Sequence, residues 1–177
     1  MLRRVLNLIY GLSAILGAGC LALVGLIILV QMVGRMLGMQ LRGADDLTAW
    51  AVAAGAMFSL AYSFRHGAHI RVGLLLENLS GRSRRFLEIA CLVVGAAMAV
   101  ALAASAVGLA FDSFRYHDIA PGLLKVPMWI PQSTMGLGAL FFAVALLDDL
   151  FVVIAGGEAS YAAEAQASAL ERAGQEI

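Results

Sequence analysis

The chain has 177 residues, of which 62% are hydrophobic and 14% charged, with mean hydropathy +0.88 and a formal net charge of zero. Soluble domains average about 45–50% apolar and about 25% charged residues, so this composition excludes a disordered chain, a collagen-like repeat and a water-solvated enzyme domain. It offers no basic excess to neutralise phosphates, which argues against a nucleic-acid partner, and its two cysteines, Cys20 and Cys91, both lie in apolar stretches and cannot organise a disulfide framework.

Four windows between successive charges define the elements. The first, Val5 to Gly34, runs 30 residues without a charge. It follows Met-Leu-Arg-Arg, as a signal peptide would, but it is longer than an h-region of about 7–15 residues and no small-residue cleavage site closes it. It is expected to be an uncleaved span, with tilt taking up the extra length. The second, Leu47 to Phe64, has 18 residues and is preceded by Asp45-Asp46, whose charges favour a helix N-terminus. It is at the threshold for a span, and a buried or interfacial helix is its alternative. Ile89 to Phe111 gives 23 residues and Val126 to Leu147 gives 22. A bilayer core about 30 Å thick needs about 20 apolar residues per helix. Backbone polar groups must be satisfied within the segment, and no period-two alternation points to a β-barrel.

The expected fold is therefore an all-α integral membrane protein with four transmembrane helices, spanning 7–34, 46–64, 87–111 and 128–154 within a membrane domain of residues 1–155. Residues 156–177 form an Ala/Glu-rich soluble tail after the Gly156-Gly157 break. Lys and Arg counts set the orientation. With both termini cytoplasmic, eight fall inside (Arg3, Arg4, Arg65, Arg71, Arg82, Arg84, Arg85, Arg172) and four outside (Arg35, Arg42, Arg115, Lys125). The basic second loop then meets the anionic leaflet.

The windows contain no Asp, Glu, Lys, Arg or His. A pump or ion-coupled carrier places ionisable groups inside the membrane, so an autonomous carrier is disfavoured. Catalytic and cofactor readings are equally thin. His66 and His69 lack a carboxylate or cysteine at ligand spacing for a metal. No histidine lies well inside a helix to hold a haem, and Ser105 has no intramembrane base. No cofactor is expected in this chain. Span three is rich in small residues: Gly95, Ala99 and Ala103 recur every four positions, as do Ala97, Ala101 and Ser105. Such faces admit close helix packing, either within the four-helix unit or against another membrane subunit. Span four opens with Val126-Pro127-Met128-Trp129-Ile130-Pro131. There Trp129 suits an interfacial anchor and the prolines suit a helix start.

These pieces, in order, resemble the small membrane subunit (DctQ type) of tripartite ATP-independent periplasmic (TRAP) transporters. The resemblance rests on the acidic pair Asp45-Asp46, and on Arg65, Gly67, His69 and Val72 closing span two. The basic run Arg82-Ser83-Arg84-Arg85 and the Pro127-x-Trp129-x-Pro131 opening, followed by Gly136 and Gly138, complete it; Gly73 departs from the pattern. The resemblance implies a non-catalytic scaffold in a bacterial inner-membrane importer. Its partners would be a large multi-span subunit, which carries substrate and Na⁺, and a periplasmic protein that captures an organic acid. It also implies that Arg65, His69 and Arg71 meet lipid phosphates or the large subunit, the alternative being ordinary snorkelling. Asp45 and Asp46 would cap span two or pair with a partner's cation, and Pro127, Trp129 and Pro131 would set the height of span four. The segments 35–42 and 112–125 would offer the docking face. The competing readings are a self-sufficient carrier acting as a homo-oligomer and a membrane anchor of a redox complex.

Overall fold

A computed structural model describes residues 2–65, 82–157 and Ser160, and their side chains except at positions 2–5, 82 and 84. Four helices account for nearly all of it: α1 (Leu2–Met36), α2 (Ala44–Arg65), α3 (Arg82–Tyr116) and α4 (Trp129–Ile154). Each is long and apolar enough to cross a membrane. The second window, at threshold by charge alone, belongs to a helix of 22 residues. α1 and α3 have 35 residues each and outrun their uncharged windows at both ends; a charged residue near a helix end need not stop the helix, because a long side chain can carry its charge toward water.

The helices pack as a row rather than a closed bundle. α1 lies against α2, α2 against α4, and α4 against α3, while α1 only grazes α4. The lateral order is thus α1–α2–α4–α3, two antiparallel hairpins joined through their second helices. One end of the row carries the start of α1 and the end of α4 (the terminal end); the other carries the α1–α2 and α3–α4 connections (the loop end).

Lipid tails are as apolar as leucine, so helices in a bilayer are held by close packing and not by exclusion of water. Small residues mark each seam. Gly17 and Gly55 face each other between α1 and α2, and a Cβ on Gly17 would lie 3.3 Å from the Ser59 backbone nitrogen. Ser13 donates a hydrogen bond to the Phe58 carbonyl in the same seam. Between α3 and α4, Leu92, Ala96, Ala99 and Ala103 meet Ala139, Ala143, Leu146 and Val153. Between α2 and α4 the approach is closest: a Cβ on Gly138 would lie 2.7 Å from Met57 Cβ and 2.8 Å from the Met57 carbonyl carbon. At the terminal end Leu6, Tyr10, Ala61 and Ala145 form a smaller cluster that brings α1, α2 and α4 together.

A glycine break follows the last helix. Gly156, at φ +94°, follows α4, and its N–H donates to the Val153 carbonyl at 3.1 Å while Gly157 donates to Val152 at 2.9 Å; the left-handed backbone suits glycine. The tail beyond, Ser160 apart, lies outside the described residues.

Substituting Gly138 with leucine forces a side chain into the α2 backbone. Overpacking of this kind costs about 1–3 kcal/mol, whereas Gly25→Leu, with nothing within 4 Å, leaves stability within about 0.5 kcal/mol. Thermal unfolding of the two variants in detergent checks this: a lower midpoint for Gly138→Leu alone is expected.

Candidate functional site

The features that bear on function are the two ends of the row and its open faces. At the loop end the acidic pair opens α2, and each carboxylate reaches a different segment. Asp45 Oδ1 accepts from Gln31 Nε2 of α1 at 2.9 Å. Asp46 Oδ2 accepts from the backbone N–H groups of Leu123 and Leu124, at 3.0 and 3.4 Å, in the α3–α4 connection. The carboxylates therefore tie the first turn of α2 to neighbouring segments, where the negative charge also complements the helix dipole. Two glycines let the segments meet: Gly122 abuts the Asp46 carboxylate where a side chain would clash, and Gly43, at φ +83°, leaves room for Leu124.

The α3–α4 connection is a short pinched loop. Ala120 donates to the Val126 carbonyl and Met128 to that of Asp118, both at 2.9 Å, and Ile119 pairs with Pro127 across it. Pro131, buried, is the third residue of α4, where a missing N–H leaves no intrahelical bond unmade. Pro127 is exposed and precedes the helix. Trp129 is 37% exposed and stacks edge-on against Phe114 of α3, ring centroids 5.8 Å apart. Pro127, Trp129 and Pro131 thus lie together at one end with Asp45 and Asp46.

The terminal end holds a second polar cluster. The Arg65 guanidinium lies 4.5 Å from the centre of the Tyr10 ring, a cation–π contact, and Asp148 lies near the Tyr10 hydroxyl. Asp149, only 2% exposed, accepts from the N–H and hydroxyl of Ser160 at 3.2 and 2.6 Å. Arg65 Nη1 is buried without a hydrogen-bond partner among the described residues. Arg85 of α3 donates to the Val153 carbonyl at 3.3 Å, satisfying the last turn of α4. His69 and Arg71 lie outside the described residues, so Arg65 alone of that trio is placed.

Tyr10, Asp148, Asp149 and Gln31 were not singled out from sequence. Asp148-Asp149 directly follows the uncharged window that ends at Leu147, and both residues lie inside the span expected over 128–154 and inside α4. The absence of ionisable groups thus holds for the charge-free windows and not for the whole of α4, which carries two carboxylates in its last turns. The signal was present, because the Gly156-Gly157 break already places the helix end beyond both aspartates.

Of the small-residue stripe on α3, Ala99 and Ala103 are buried against α4, Gly95 is half-buried beside Leu146, and Ala97, Ala101 and Ser105 are toward the partly or fully exposed side. The outward faces are strongly apolar. Ile15, Leu21, Leu26 and Leu29 of α1 and Val94, Met98, Leu109 and Phe111 of α3 are all more than half exposed. Lipid or another membrane protein must cover them.

A family model described as "Tripartite ATP-independent periplasmic transporters, DctQ component" matches residues 24–156. No curated protein matches the chain. The matched region takes in the end of α1, all of α2, α3 and α4, the polar loop end, and Arg65, Arg85, Asp148 and Asp149 of the terminal end.

Removing the Asp46 carboxylate leaves two loop amides without their acceptor, a loss of about 1–3 kcal/mol. Hydrogen exchange at Leu123 and Leu124 in Asp46→Ala is expected to accelerate about tenfold or more, with Ser59 in the α1–α2 seam unchanged. Unaltered exchange at 123–124 would show that the carboxylate does not hold the loop.

Proposed function

The chain belongs to the DctQ component family of tripartite ATP-independent periplasmic transporters, and on that premise we propose that it is the non-catalytic small membrane subunit of a TRAP importer. It is a multi-pass membrane protein by its four spans. In the proposed role it lies beside a large multi-span subunit in the bacterial inner membrane and broadens the fixed part against which that subunit moves. The large subunit carries the Na⁺ and the substrate, an organic acid, and this chain holds no cofactor.

The observation that carries the reading is the open row. A closed bundle would bury one face of every helix; here α1 and α3 are edges with neighbours on one side only, which leaves two broad apolar flanks for a larger membrane partner and for lipid. The ionisable groups of the helices gather at their ends, which suits a subunit without its own ion path. The stitched loop end, with Trp129, Pro127 and the Asp46-bound turn, offers a pre-organised surface for the soluble substrate-binding protein. The arginine count puts that end outside and both termini in the cytoplasm.

A mild-detergent pull-down of the tagged chain from its native membranes, with mass spectrometry of stoichiometric partners, tests this. One large multi-span membrane protein is expected to co-purify, and membranes lacking this chain are expected to lose uptake while the soluble protein still binds substrate. Recovery of the chain alone, as a homo-oligomer that transports in liposomes, would contradict the proposal.

A further inference from the structure

We propose that the end of α1 and the turn after it form a binding site for a membrane glycerophospholipid, with the phosphate between Arg35 and Arg42 and an acyl chain lying along Met36, Met32 and Ile28. Two adjoining concavities make up the site. A polar mouth of about 290 Å³ is lined by Gln31, Arg35, Gln40, Arg42 and Asp45, with apolar walls. An apolar groove of about 390 Å³ runs along α1 past Ile28, Met32 and Met36. Gln31 and Arg35 line both, so the mouth opens directly onto the groove.

Charge and shape together select the occupant. The mouth sets two guanidiniums against one carboxylate, and Asp45 Oδ1 is already engaged by Gln31. Neither the Arg35 nor the Arg42 side chain hydrogen-bonds to another described residue, so both retain the planar fork of donors that matches phosphate oxygens. Arg35 stands in the last turn of a membrane span, the depth at which lipid phosphates lie. A free phosphate would use the mouth and leave the groove, whereas a phospholipid fills both. Ile28, Met32 and Met36 are 50%, 63% and 81% exposed along the last three turns of the span. The inference depends neither on orientation nor on the proposed transport role, since both leaflets present phosphodiesters.

Native mass spectrometry of the full chain, delipidated in mild detergent and titrated with phosphatidylglycerol, reads this out. The wild-type chain is expected to hold one saturably bound lipid. Arg35→Gln combined with Arg42→Gln is expected to weaken binding about tenfold or more, since hydrogen bonds to charged groups are at stake. Met32→Asn is expected to weaken it as well, by spoiling the groove while leaving the mouth intact. Arg115→Gln, at an exposed arginine in the last turn of α3 at the same end, should bind as the wild type does. Undiminished binding by the double variant, or an equal loss in Arg115→Gln, would overturn the site. Indifference to Met32→Asn, or complete displacement of the lipid by inorganic phosphate, would overturn the lipid assignment.

Discussion

Two helical hairpins make up the described residues, and the contact that joins them is the approach of Gly138 on α4 to the backbone at Met57 and Phe58 on α2. In water, the apolar faces would drive the hairpins together whatever the detail of their contact. In a bilayer they are already solvated, so the hairpins stay together only where backbones come close enough for dense van der Waals packing. A glycine at that crossing allows it. Each of the other two seams has its own small residues, Gly17 with Gly55 in one and the alanines of α3 and α4 in the other.

This placement of small residues explains the row. α2 and α4 are small-sided on two faces and so accept a neighbour on each, whereas α1 and α3 carry leucine, isoleucine, valine and methionine outward and accept one. Polar groups then fix the two ends. Asp46 draws the α3–α4 connection onto the start of α2, so the hairpins are locked together at the loop end as well as mid-membrane. At the terminal end, Asp148 and Asp149 sit near the C-terminus of α4, where the helix dipole disfavours negative charge. The nearby Arg65, the Tyr10 hydroxyl and Ser160 offset that cost. Both flanks of the row remain apolar, and the proposed scaffold role follows from that shape more than from any single residue.

Much of this was legible in the sequence. Long charge-free windows report helices directly, because a charge in hydrocarbon is costly, and the motif order Asp45-Asp46, Arg65, Arg82–Arg85 and Pro127-x-Trp129-x-Pro131 pointed to the family that the match over residues 24–156 shows. The lateral order of helices was not legible, since Gly17, Gly55 and Gly138 look alike in sequence and only the fold says which backbone each one faces. The partner of Asp46 was hidden for a related reason. It is a pair of backbone amides 77 and 78 residues away, and main-chain donors leave no trace in side-chain identity. The role of Asp149 was hidden because its partner, Ser160, lies beyond the Gly156-Gly157 break, and the charge-free windows draw attention away from carboxylates near a helix end.

The open row is the central claim, and a distance across it is the most direct test. In a chain with Cys20 and Cys91 replaced by alanine, spin labels at Leu29 on α1 and Leu109 on α3, both more than half exposed and at matching heights, report the span of the row in a reconstituted bilayer. Three steps of helix packing put those axes roughly 25–30 Å apart, and a single population near that separation is expected. A separation of roughly 10–14 Å, the spacing of neighbours or diagonals in a closed four-helix bundle, would contradict the row and with it the flanks on which the functional reading rests.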